Sequence, residues 1–142
     1  KEEIVNFLDK HYIEENYGQF RFHYNSEFIN WAFVNEHYKP DMSIGVRVNK
    51  NNLLVGFICG KVVKMQLNSK IVDMVEVSLL CVHPQLRNKR LTPVMLKELK
   101  RRFNLLGYNY GIFNTKELVP TPFAKLQHYY RAINVTSLVD TG

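Results

Sequence analysis

The chain has 142 residues, 46% of them hydrophobic, which fits one domain around one core. Lys and Arg outnumber Asp and Glu by 19 to 13, and the formal charge of +6 favours an anionic partner, whether nucleic acid, membrane surface or phosphorylated small molecule. No apolar run reaches membrane-spanning length, no signal peptide is visible, and Cys59 and Cys81 sit in apolar runs without metal-ligand spacing, as reduced thiols of a cytoplasmic protein would.

The first predicted element is a helix from Lys1 to about Ile13, because Ile4, Leu8 and Tyr12 recur at four-residue spacing beside Val5. Phe20-Arg21-Phe22-His23-Tyr24 alternates aromatic and polar residues, as a short strand does. Ser26 is placed to cap a second helix with Phe28, Trp31 and Ala32 on its apolar face. Three strands are predicted next, at Ile44–Val48, from Leu53 to about Met65, and at Ile71–Val82. They are separated by the turn signals Asn49-Lys50-Asn51-Asn52 and Asn68-Ser69-Lys70, so they read as an antiparallel meander.

The segment His83 to Arg90 is polar and basic. Thr92-Pro93 reads as an N-cap with proline at the first helical position, and Leu91, Met95, Leu99, Phe103 and Leu106 form one apolar stripe that Gly107 ends. Tyr108–Phe113 reads as a strand. Thr121-Pro122 repeats the helix-start signal, with Phe123, Leu126 and Tyr130 on one face, and Val135–Val139 reads as a last strand.

The stretch from Val75 to Pro93 therefore runs strand, basic loop, helix start. A helix N-terminus offers unpaired amides and a positive dipole end, which suit a pyrophosphate. Arg87, Lys89 and Arg90 add full charges there. A solvated basic loop ahead of a surface helix has the same composition. The glycine-rich loops of P-loop and dinucleotide-binding sites are absent. The five histidines, 11, 23, 37, 83 and 128, show no nucleophile or metal arrangement, and no metal is expected; His83 reads as stabilising a turn.

Glu76-Val-Ser-Leu-Leu-Cys-Val-His83, followed by Leu86-Arg-Asn-Lys-Arg-Leu-Thr-Pro93, resembles the N-myristoyltransferase pattern Glu-Ile-Asn-Phe-Leu-Cys-Val-His and Leu-Arg-Ser-Lys-Arg-Leu-Ala-Pro. Phe20-Arg-Phe-His-Tyr24, Gly45-Val-Arg-Val48, Leu54-Val-Gly-Phe-Ile58 and Tyr129-Tyr-Arg131 with Asn134 are similar to further segments of that family, in order and over nearly the whole chain. The resemblance implies an α/β (α+β) domain of the GNAT acyl-CoA N-acyltransferase fold, a mixed central sheet flanked by helices. It also implies that residues 1–142 form one such domain, while the family carries a second half that this chain lacks.

In function the resemblance implies transfer of a myristoyl group from myristoyl-CoA to the amine of an N-terminal glycine on a peptide or protein. The acyl-CoA would meet Tyr12, Leu79, Leu80, Cys81, Val82, Arg87, Asn88, Lys89, Arg90, Leu91, Thr92 and Pro93. The backbone amides of Leu79 and Leu80 would form the oxyanion hole, although plain strand core is the other reading of both. Peptide contacts map to Glu14, Glu15, Phe20, Phe22, Tyr24, Ser78, Asn114 and Tyr130; sheet packing also explains the aromatics, and a solvated helix end the two acids. Ser78, Asn114 and Tyr130 stand where the family has Asn, Thr and His, and Thr115-Lys116 where it has Ala-Gly. The family's base is its C-terminal carboxylate, for which this chain offers Gly142 or Asp140.

Three alternatives stand beside this reading. One is a GNAT-fold acyltransferase with a shorter acyl donor. Another is a catalytically degenerate acyl-CoA-binding module. The third is a nucleic-acid binder using Lys97, Lys100 and Arg101, disfavoured because no RNA-recognition, KH or zinc-finger signature is present.

Overall fold

The computed structural model of the chain describes residues 1–12, 23–33, 38–115, 121–127, 129 and 131–140. Its centre is a four-stranded mixed sheet in the order β1-β2-β3-β4, comprising β1 (Ser43–Arg47), β2 (Leu54–Leu67), β3 (Lys70–Val82) and β4 (Gly111–Phe113). The first three strands pair antiparallel and β4 lies parallel to β3, so the chain must cross over between them, as α3 (Leu91–Leu105) does. Asn52 and Asn68 take the left-handed conformation in the two tight turns of the meander, which asparagine tolerates better than most residues.

Helix α1 (Glu2–His11) carries Glu2 and Glu3 in its first turn and Lys10 and His11 in its last, the order that complements the helix dipole. It buries Phe7 and Leu8 and ends two residues short of Ile13, because Tyr12 turns to extended backbone while its amide still donates to Leu8 O. Helix α2 (Ser26–Phe33) is capped by Asn25 and not by Ser26: Asn25 Oδ1 accepts the Phe28 amide at 2.8 Å. Its buried residue is Ile29, whereas Phe28 and Trp31 face outward; the side chain of Ala32 lies outside the described residues. A helix apolar on several sides has no single stripe to read, so packing chose the face. Of the predicted strand Phe20–Tyr24, residues 20–22 lie outside the described set, and His23 and Tyr24 have irregular backbone.

Helix α3 starts at Leu91, with Arg90 as its N-cap in the left-handed region (φ 57°). Thr92 and Pro93 are thus its second and third residues and not cap and first turn position. Proline is tolerated there because a first-turn amide has no intrahelical acceptor to lose. The C-terminus closes as a Schellman motif: Tyr108 N donates to Phe103 O at 2.9 Å and Gly107 N to Asn104 O at 3.0 Å, with Gly107 at φ 88°.

The C-terminal expectations need correction. The described residues from 121 to 127 form no helix, and Phe123 and Leu126 are exposed. Val135–Val139 is not a strand but part of a short helix, α4 (Val135–Asp140), capped by Asn134 Oδ1 on the Ser137 amide at 3.0 Å. An extended segment needs a neighbour for its ladder bonds, while a capped helical turn satisfies its own groups locally. The predicted strand Tyr108–Phe113 shortens to β4.

Two apolar cores flank the sheet. Phe7, Leu8 and Ile29 from α1 and α2 pack with Leu54, Phe57, Cys59, Leu79 and Cys81 on one face. Met95, Leu99 and Phe103 from α3 pack with Met42, Ile44, Ile58, Val75 and Val82 on the other. Residue pairing between β2 and β3 slips once: Phe57 opposes Cys81, yet Cys59 opposes Ser78, so β3 holds one extra residue. Up to Val77, odd-numbered residues of β3 face α3; beyond the bulge Leu79 and Cys81 face α1, and Leu80 and Val82 face α3.

Candidate functional site

The bulge is the sharpest local departure in the sheet. Leu79 takes φ 51°, a conformation that a branched aliphatic residue adopts only under outside constraint. Its side chain is buried against α1 and α2, which supplies that constraint. Ladder pairing is recorded for Ser78 and for Cys81 but not for Leu79 or Leu80 between them. Main-chain groups at this break can therefore be directed away from the ladder.

Four side chains surround the break, those of Ser78, Cys59, Cys81 and Tyr12. Ser78 faces Cys59 on the partner strand, whose Sγ lies 3.3 Å from Ser78 Oγ and 3.5 Å from Ser78 O. Burial pushes the Cys59 thiol up to about 11 against the opposing pull of Ser78, and burial pushes Cys81 up to about 12. Both thiols are free, buried and protonated at neutral pH. From the end of α1, Tyr12 packs onto the same core, and burial raises its phenol to about 12 while a hydrogen bond from the Leu79 backbone draws it slightly back. Tyr12 also stacks obliquely on Tyr24 at 5.4 Å, and Tyr24 on Phe28 at 4.8 Å. The Tyr24 phenol is raised by burial as well.

On the other side of the break, Phe113 of β4 pairs in parallel with Val77. Asn114 therefore leaves β4 at the level where β3 continues into Ser78. This register brings together two residues that are thirty-six apart in sequence. Asn114 is exposed.

Past Val82 the chain makes a 3-10 turn, Pro84–Leu86, in which His83 Nδ1 accepts the Gln85 amide at 3.4 Å, the turn-stabilising part foreseen for His83. Asn88, Lys89 and Arg90 are exposed. Helix α3 then begins without an acidic residue in its first turn and without a side-chain cap. The amides of Leu91 and Thr92 have no intrahelical acceptor, and Pro93 has no N–H at all. An uncapped helix N-terminus next to exposed cations is a chemically reasonable seat for phosphate oxygens. The strand break lies twelve residues upstream of Leu91 on the same stretch, at Leu79, so one extended ligand can reach both.

Of the residues picked from sequence, the structure gathers Tyr12, Ser78, Leu79, Cys81 and Asn114 around the break, and Asn88, Lys89, Arg90, Leu91 and Thr92 around the helix start. Glu14, Glu15, Phe20, Phe22, Tyr130 and Gly142 lie outside the described residues. Sequence reasoning missed Cys59 and His11. Cys59 contacts Ser78 only through strand register, and the His11 ring lies 4.6 Å from that of His83, which no local spacing signals. Among the described residues, no helix is long and apolar enough to cross a membrane.

Residues 1–126 match the family model for the N-terminal domain of myristoyl-CoA:protein N-myristoyltransferase. The chain is 39% identical to a glycylpeptide N-tetradecanoyltransferase of Plasmodium falciparum, over all of this chain and 35% of that protein. It is 37% identical to glycylpeptide N-tetradecanoyltransferase 1 of Arabidopsis thaliana, over 99% of this chain and 32% of that one. In structure it is similar to a Saccharomyces cerevisiae N-myristoyltransferase crystallised with bound myristoyl-CoA, at a TM-score of 0.79 and 40% identity, covering 85% of this chain and 29% of that one. The chain spans about a third of the length of the curated relatives it matches.

Proposed function

Because the chain belongs to the myristoyl-CoA:protein N-myristoyltransferase family, matching its N-terminal domain, we propose that residues 1–142 act as one GNAT-like domain that binds myristoyl-CoA and takes part in moving its acyl group to the amine of an N-terminal glycine. The observation that carries this reading is the left-handed Leu79 in the β3 bulge, twelve residues ahead of the uncapped α3 start. A thioester carbonyl at the bulge and a pyrophosphate at the helix start lie at the two ends of the pantetheine arm of one acyl-CoA.

The neutral glycine amine attacks the thioester carbonyl and a tetrahedral oxyanion forms. The amide of Leu80, and that of Leu79 on exchanging the Tyr12 phenol for the oxyanion, meet that charge as it develops, which is where backbone donors held by the fold are most effective. Collapse expels CoA as its thiolate, which takes up a proton, while the amine nitrogen gives one up and becomes an amide. Lys89 and Arg90 hold the phosphates together with the amides of Leu91 and Thr92. Ser78 in β3 and Asn114 just past β4 hold the incoming amine by hydrogen bonds. The two protonated buried thiols suit the reducing cytoplasm.

Incubating the chain with myristoyl-CoA and a Gly-starting peptide, read by mass spectrometry, tests the reading. An added myristoyl mass on the peptide with release of free CoA is expected. An unmodified peptide together with tight CoA binding would leave an acyl-CoA-binding module. Failure to bind any acyl-CoA would overturn the proposal.

A further inference from the structure

Arg87 belongs to the basic loop and is exposed like its neighbours, yet its guanidinium is engaged by main-chain carbonyls. Nη2 donates to His11 O at 2.8 Å across seventy-six residues of chain, and Nε donates to Val82 O at 3.2 Å. His11 O is one of the last carbonyls of α1, which have no intrahelical donor, and a cation there also faces the negative end of the helix dipole. The rigid planar fork of arginine suits two acceptors held at a fixed separation, which a lysine ammonium cannot span in the same way. The contact has a second component. The His11 ring lies 4.6 Å from the His83 ring and 5.2 Å from the Phe7 ring. His83 in turn is anchored by its amide to Val55 O at 2.9 Å. The residue directly after His11 is Tyr12, which packs over the bulge.

We propose that Arg87 is a positioning residue: it braces the end of α1 against the start of the basic loop and so fixes where Tyr12 stands over the Leu79 bulge, while the phosphates fall to its neighbours. All three are exposed, but Lys89 and Arg90 make no side-chain hydrogen bond or ion pair among the described residues, whereas two N–H groups of the Arg87 guanidinium already have protein acceptors. The proposal rests on the acyl-CoA reading above and assigns a separate role within it. The brace ties the two ends of the ligand site together, so a change in the loop is felt at the thioester.

The test titrates CoA, 3′-dephospho-CoA and myristoyl-CoA into the wild-type chain and into Arg87→Lys, Arg87→Gln and Lys89→Gln, with amide exchange at Tyr12 followed by NMR. In both Arg87 variants Tyr12 exchange is expected to accelerate roughly ten-fold, as loss of a charged hydrogen bond predicts. The extra affinity of myristoyl-CoA over CoA is expected to shrink, while the preference for CoA over 3′-dephospho-CoA stays within about two-fold. Lys89→Gln is expected to do the reverse, compressing the phosphate preference and sparing Tyr12. An Arg87→Gln chain that loses the phosphate preference and keeps wild-type Tyr12 exchange overturns the proposal. Faster exchange without any change in the myristoyl increment overturns it too, because Arg87 is then only a structural contact. If Arg87→Gln does not fold, Arg87→Lys, which keeps the charge, decides by the same two readouts. A wild-type chain that binds none of the three ligands overturns the acyl-CoA reading instead, whereas losses confined to the variants bear on the brace alone.

Discussion

The Cβ that Gly60 lacks would lie 2.6 Å from Cγ1 of Val75 on the neighbouring strand. Val75 is wholly buried against α3, with Leu99 and Met42 closing the same space, so neither partner can give way. Gly60→Ala is therefore expected to cost about 1–3 kcal/mol in urea unfolding, the usual range for overpacking. The double variant Gly60→Ala, Val75→Ala should lose less than the sum of the two single changes, because the second removes the clashing methyl. Strict additivity would show that the clash is relieved elsewhere.

Glu98 receives both Arg101, at 2.8 and 2.9 Å, and Arg102, at 2.8 Å, and these guanidinium bonds hold its carboxyl down to about 2. Arg102 continues to Asp41 O and so ties α3 to the entrance of β1. For a depressed carboxyl the stabilisation is complete above the ordinary value of 4.5 and disappears as pH falls through the folded value near 2. The gap in urea midpoint between wild type and Glu98→Gln should be constant above pH 4.5 and close between 4.5 and 2. A gap that persists at pH 2 would assign the effect to packing.

At pH 8 the native thiols should be inert. With Cys59 near 11 and Cys81 near 12, the thiolate fraction is roughly a thousandth or less, and both sulfurs are shielded from solvent. Iodoacetamide should add no mass to the folded chain and two adducts in denaturant. One fast native adduct would mean that the face between α1 and the sheet opens readily.

Arg90 combines strain and charge in one residue. Its left-handed backbone costs about 1–2 kcal/mol, which Arg90→Gly should return as added stability. The same change removes a cation from the helix start and should weaken CoA binding by roughly ten-fold at low salt, and by less at high salt. Calorimetry of folding and of binding reads the two effects separately. Tighter CoA binding by Arg90→Gly would remove Arg90 from the phosphate site.

Much of the site's framework was legible in the sequence because it is local. The α3 stripe Met95, Leu99 and Phe103, its Gly107 stop and the turn asparagines obey short-range rules, and each appears in the structure. The basic loop was visible as composition. What sequence could not provide was direction. Arg87 looks like Lys89 and Arg90 until its partner His11 is known, and that partner is seventy-six residues away. Strand propensity misled at Val135–Val139 because β-branched residues report on sheet neighbours, and an Asn134 cap was enough to set a helical turn instead. On α2, the apolar residues on several sides left the inward face to be chosen by contact with α1.

The one surplus residue in β3 acts as a phase shifter for the chain. Upstream of it, odd positions belong to the α3 layer; downstream, the parity is inverted and Leu79 and Cys81 turn toward α1. Deleting a single residue between Val77 and Cys81 would straighten the ladder with Cys81 still opposite Phe57 and the downstream side chains still on their own layers, and would erase the left-handed break at Leu79. The spacing from Val77 to His83 is thus a length constraint as strict as any side-chain identity, and natural variation there should come as substitutions without gaps.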